Sequence, residues 1–97
     1  MAQVSYSDEA FTDFERIIEF LLETSPEAAA QALEGISSAI GILEVHPFIG
    51  RRVDDQIREL VISRGATGYL ALYRFDSPFD VVRILRIRHQ REVGYRE

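Results

Sequence analysis

The chain contains neither cysteine nor lysine. Without thiols it can form no disulfide and no thiolate metal site, which fits a reducing compartment. Without lysine, its positive side chains are arginines. Their planar forks of donors suit carboxylates and phosphates, but their pKa lies too high for proton transfer. Long apolar runs are missing as well. The longest stretches without a charged residue, Gly35–Leu43 and Gly65–Tyr73, are nine residues long, against about 20 apolar residues for a membrane span. The opening MAQVSYSDEA has neither the basic n-region nor the apolar h-region of a signal peptide. Repeats, linkers and low-complexity segments are also lacking. These absences lead to the expectation of one soluble, cytoplasmic domain over residues 1–97, with no membrane partner.

What is present is a globular composition, 46% apolar and 10% aromatic, with charge placed unevenly. Residues 1–45 hold nine acidic groups and only Arg16, a net of −8; residues 46–97 hold ten arginines and seven acidic groups, a net of +3. The acidic whole, at −5, therefore has a basic second half, and five arginines fall in its last stretch, VVRILRIRHQREVGYRE.

Periodicity gives the elements. Gln3–Ser7 alternates as a short strand, and Ser7 is positioned as a helix N-cap ahead of Asp8 and Glu9. Phe11, Phe14, Ile18, Leu21 and Leu22, with Ile17 beside them, predict an amphipathic helix to about Glu23, its acidic residues forming a solvated face. Ser25-Pro26 opens a second helix, with Ala29, Leu33, Ile36, Ile40 and Leu43 as its packing seam. The short break between the two implies an antiparallel hairpin. Pro47 and Gly50 turn the chain. Beyond them, alternation around Leu60, over Tyr69–Phe75 and over Val81–Arg88 predicts three strands. The class is α+β in the order β-α-α-β-β-β, a two-helix hairpin packed on a small antiparallel sheet. In the last strand strict alternation puts Arg83, Leu85 and Ile87 on the line towards the helices, so Arg83 is expected to matter for folding. The other line runs from Val82 and Ile84 to Arg86 and Arg88, which gathers charge at the strand end.

Arg86, Arg88 and Arg91, with His89 among them and Tyr95 six residues beyond it, make a candidate binding surface, because clustered arginines on one edge are an anion-binding footprint. Nucleic-acid phosphate and the carboxylates of a protein partner are both open, and the alternative is a solvated strand end paired with Glu59, Asp80, Glu92 or Glu97. His89 is the side chain there able to exchange a proton near neutral pH. His46, after the second helix, is placed to satisfy free carbonyls. Two histidines 43 positions apart make no metal-ligand spacing, and no cofactor motif is present. Metal and cofactor are both expected to be absent.

The ordered set VSYSDEAFTDFERIIEFL (4–21), VHPFIGRRV (45–53), RELVI (58–62), YLALYRFD (69–76) and ILRIRHQRE (84–92) resembles the ParE/RelE superfamily of type II toxin–antitoxin toxins. Pro-x-x-Gly-Arg at Pro47–Arg51 and the final Ile-Leu-Arg-x-x-His-x-Arg at Ile84–Arg91 carry most of it, and the ParE or plasmid-stabilisation branch is the nearest. The resemblance implies the same hairpin-on-sheet fold and a small ParD-like antitoxin that neutralises the toxin in a heterotetramer or larger assembly. For the ParE branch it implies DNA gyrase as target. The RelE branch implies ribosome-dependent mRNA cleavage, for which His89, Arg91 and Tyr95 would be the catalytic candidates. Leu70 stands where that branch often has an arginine. A degenerate member that binds its antitoxin without toxicity is the third alternative.

Overall fold

The computed structural model describes residues 1–62 and 68–91. Its elements are β1 (Gln3–Tyr6), α1 (Asp8–Thr24), α2 (Pro26–Ile42), β2 (Arg51–Arg52), β3 (Ile57–Val61), β4 (Tyr69–Asp76) and β5 (Val81–His89). The strands form one sheet in the order β1-β5-β4-β3-β2, and the α+β class with a helix hairpin on a sheet is as the periodicity implied. Two features add to that expectation. The two-residue β2 extends the sheet beyond β3, and β1 lies parallel to β5. The sheet is therefore mixed. Among the described residues no helix is long and apolar enough to cross a membrane.

Local signals account for the helices. The Ser7 side chain accepts from the Ala10 N–H at 3.0 Å and caps α1. Ser25 alone joins the helices: its N–H donates to the Leu21 carbonyl at 2.8 Å, closing α1, and its hydroxyl accepts from the Ala28 N–H at 3.1 Å, opening α2. With one residue serving both ends, α2 must fold back along α1.

The buried core takes Ala10 and Ile17 from α1, Ile36 and Ile40 from α2, Leu43 just after it, Leu60 from β3, Ala71 and Tyr73 from β4, and Val82, Ile84 and Ile87 from β5. Three expected core positions are absent from it: Phe11 is 58% exposed, Leu22 52% and Leu33 50%. At the start of α1 the small Ala10, and not the phenylalanine beside it, is buried. Asp13, expected on a solvated face, is 1% exposed.

A bulge explains the other departure. Leu72 pairs with Arg86 but Tyr73 pairs with Ile84, so Leu85 is an extra residue in β5. The core line therefore runs Val82, Ile84, Ile87. Arg83 lies on the opposite, open face and is exposed, which corrects the expectation that it faces the helices.

Beside the bulge, α1 takes over the edge of β5 where β1 ends. The Ser7 N–H donates to the Ile84 carbonyl at 2.9 Å and its hydroxyl to the Leu85 carbonyl at 2.8 Å. Asp13 then accepts the Ile87 N–H at 2.9 Å on Oδ2, Arg86 Nε on the same oxygen at 2.7 Å, and Arg86 Nη2 and Arg16 Nη2 on Oδ1 at 3.2 and 2.9 Å. Burial pushes this carboxyl up, but hydrogen bonds from Arg86, the Ile87 N–H and Arg16 outweigh it and hold the pKa below the ordinary aspartate value.

The turn after α2 has its own anchor. The Tyr73 hydroxyl donates to the Pro47 carbonyl at 2.8 Å and accepts the Gly50 N–H at 2.8 Å. Burial raises the phenol pKa, so it stays protonated and can donate. Arg58 clamps the same turn through the Phe48 and Gly50 carbonyls at 3.0 and 2.9 Å and lies 5.1 Å over the Phe48 ring. Arg51 meets Glu59 at 2.8 Å. At the other side of the sheet the turn into β5 ends on Asp80 with φ 54°, and its carbonyl accepts the Gln3 N–H at 2.9 Å.

Two outcomes follow from these anchors. Asp13→Ala leaves Arg86 and the Ile87 N–H without their acceptor, and urea unfolding at pH 7 should show a loss of about 3–5 kcal/mol. Because the folded pKa is depressed, the wild-type contribution is complete above the unfolded value of about 3.9 and declines as pH falls through the lower folded one. The stability gap between wild type and Asp13→Ala should therefore narrow below about pH 4; parallel curves from pH 7 to pH 2.5 would refute the assignment. At the turn, a Cβ on Gly50 would stand 2.7 Å from the Tyr73 hydroxyl and 2.9 Å from the Glu59 carbonyl. Gly50→Ala should consequently destabilise more than Tyr73→Phe, which removes one hydroxyl at about 1–3 kcal/mol.

Candidate functional site

Strand β5 delivers the candidate residues to one end of the sheet. Tyr69 and His89 are paired across β4 and β5, their rings edge to face with centroids 5.2 Å apart. The Gln90 N–H closes the strand end by donating to the Gly68 carbonyl at 3.0 Å. His89 Nδ1 accepts the Arg91 N–H at 3.0 Å, which fixes the neutral ring as the tautomer carrying its proton on Nε2. Arg88 Nη1 donates to the His89 carbonyl at 3.3 Å. The Arg91 side chain is exposed and meets no carboxylate among the described residues.

The expected cluster is thus brought together in part. Arg88, His89 and Arg91 share the strand end. Arg86 starts from the same end but directs its guanidinium to Asp13, with 22% of the side chain exposed. Tyr95 lies outside the described residues. Leu70 pairs with Arg88 and is buried. The His46 side chain is exposed; the bond from this residue to the helix end is its own N–H to the Ile42 carbonyl at 2.9 Å.

The end is well made for holding an anion. Arg88 and Arg91 offer donors on a backbone tied down by the His89 and Gln90 bonds, and His89 adds a ring N–H. It is less well made for proton transfer, because arginine cannot supply it and His89 is the one imidazole at this end among the described residues. No group of three His, Cys, Asp or Glu side chains gathers to hold a metal among the described residues.

The helix hairpin carries a second surface, an apolar groove of the kind so short a chain is expected to leave open, lined by residues whose spacing suggests core. Phe11, Phe14 and Ile18 of α1 and Leu33 of α2 line an open groove of about 350 Å³, with Glu15 and Glu19 beside them. The signal was available: α1 carries more large apolar residues than one face buried on β5 can use.

With this geometry established, known proteins compare as follows. The family model for the ParE toxin of the type II toxin–antitoxin system parDE matches residues 4–94. Toxin RelE3 of Caulobacter vibrioides is 38% identical over 92 residues, covering 95% of this chain and 98% of that protein. Among solved structures, the chromosomal ParDE toxin–antitoxin system of P. aeruginosa contains a chain that superposes with a TM-score of 0.72 at 22% identity, over 92% of this chain and 96% of that one. The RelBE2 toxin–antitoxin complex of Mycobacterium tuberculosis contains another, with a TM-score of 0.60 at 25% identity, over 92% and 98%. The match to the family model over nearly the whole chain, on a fold shared with these structures, makes this chain a member of the ParE/RelE family of toxins from type II toxin–antitoxin systems.

Proposed function

We propose that this toxin poisons DNA gyrase, meets its target through Arg86, Arg88, His89, Arg91 and Tyr95, and is held inactive by a cognate antitoxin. The observation that carries the target is chemical. Among the described residues the strand end presents guanidinium groups and a single imidazole, and apolar Leu70 stands opposite Arg88 where a nuclease of this family would often carry an arginine. Such a surface suits binding more than phosphodiester cleavage. Within it Arg86 acts from behind, holding the end of β5 on Asp13, while Arg88 and Arg91 make the contact.

The antitoxin reading is supported by the groove between α1 and α2. Its apolar floor and acidic rim suit an amphipathic helix with basic flanks, docked by side chains at helical spacing. The similar solved structures are toxin–antitoxin systems.

A second target reading, ribosome-dependent mRNA cleavage using His89, Arg91 and Tyr95, is favoured by the RelE name of the curated relative. Induced cells separate the two. The gyrase reading gives DNA-damage signalling and gyrase–DNA breaks recoverable in vitro; cuts in ribosome-bound mRNA with normal gyrase activity would overturn it.

Two variants probe the surfaces independently. Arg88→Ala with Arg91→Ala should abolish growth inhibition, since charge-assisted contacts in an interface are worth about 2–5 kcal/mol in binding. Stability should change by about 0.5 kcal/mol or less at exposed Arg91, and by about 0.5–1.5 kcal/mol at half-buried Arg88, which loses its bonds to the His89 and Gln90 carbonyls. Co-purification with the antitoxin should persist. Phe11→Glu with Leu33→Glu should do the reverse, keeping toxicity and losing neutralisation. A folded Arg88/Arg91 double variant that remains fully toxic would show the strand end to be a solvated surface.

A further inference from the structure

The open face of the sheet holds a pair of arginines that the fold does not explain. Arg74 on β4 and Arg83 on β5 are direct cross-strand partners, rooted about 5 Å apart, and both are exposed. Among the described residues neither forms an ion pair, and Arg83 has a 3.4 Å hydrogen bond to the Ser5 hydroxyl. Most other arginines here are engaged: Arg16 and Arg86 on Asp13, Arg51 on Glu59, Arg52 on Asp55, and Arg58 on two carbonyls. Like charges directly opposite one another weaken a sheet. In a chain with sixteen acidic residues, two cross-strand arginines that meet no carboxylate among the described residues mark a place kept for an external anion.

The surroundings narrow its nature. The residues flanking the pair in the same row are Ser5 and Ile57; of the adjacent rows on this face, one holds Leu72 beside the bulge at Leu85 and the other holds Asp76 opposite Val81. Tyr6, Tyr69, Tyr73 and Phe75 all belong to the helix-facing side. The described strands therefore put no aromatic ring on this face, with exposed Phe79 confined to the turn between β4 and β5, and so offer little platform for unstacked bases, the usual means of holding single strands. It does offer paired guanidinium forks to phosphates presented by a regular backbone.

We propose that Arg74 and Arg83 bind the phosphodiester backbone of duplex DNA, so that the toxin touches DNA as well as its protein target. The preference for DNA over RNA rests partly on the gyrase reading, but its failure is separable from that reading because the measurement needs no gyrase. The purified chain is titrated against a fluorescent 20-base-pair duplex of arbitrary sequence, and against single-stranded RNA of 20 nucleotides, at several salt concentrations. Salt-dependent binding to the duplex is expected to exceed that to the RNA. Arg74→Gln with Arg83→Gln should weaken it and reduce the log–log salt slope by about 0.9 if the pair shares one phosphate, or about 1.8 if it takes two. Arg52→Gln, which removes one positive charge elsewhere, should leave the slope unchanged. The double variant should melt at or slightly above the wild-type temperature, because a like-charge pair has been relieved. An absent duplex signal, an unaltered slope in the double variant, tighter binding of the RNA, or a clear fall in melting temperature would each overturn the proposal.

Discussion

One buried carboxylate ties the two halves of this chain together. Asp13 comes from the acidic N-terminal half, Arg86 and Ile87 from the basic C-terminal half, and the contact spans 73 and 74 residues of sequence. It does more than neutralise charge. Strand β1 pairs with only the first part of β5, and the remaining edge would present unsatisfied backbone groups. Ser7 and Asp13 supply those partners from a helix. The bulge at Leu85 belongs to the same arrangement, since it shifts the alternation so that Ile87 returns to the core beside the carboxylate that accepts its N–H.

Much of the fold was legible because short-range rules were obeyed without conflict. Ser7 and Ser25 cap the helices they precede, Pro26 opens α2, and alternation marks the long strands. The misplacements have separate causes. On the helices, apolar spacing does not guarantee burial, nor charge exposure. Asp13 is buried because a backbone edge needs an acceptor, and Phe11 and Leu33 are exposed on a surface suited to a partner. Arg83 changed faces because a single extra residue reverses a strand, and no residue type announces a bulge. The two-residue β2 is too short to show alternation at all.

The candidate site was legible to a similar degree. The cluster of Arg88, His89 and Arg91 follows directly from their positions at the end of a strand. That Arg86 points to Asp13 does not, because the partner is more than seventy residues away in sequence. The cross-strand pair of Arg74 and Arg83 depends on register, which the bulge alters. In consequence the positive charge of this protein is divided between arginines that hold the sheet, such as Arg51, Arg58 and Arg86, and those left to face outward.

The position of β1 also has a consequence in time. The first strand of the chain finds its place only beside the last one, and α1 cannot satisfy Asp13 until residues 86 and 87 exist. During synthesis the helix hairpin emerges early, while the edge that it must cover is made almost last. Contacts of such long sequence separation close slowly. A nascent toxin therefore has its apolar helix groove on display before its arginine-bearing strand is in place. By its own topology, then, the chain offers that groove to a binder before that strand is in place.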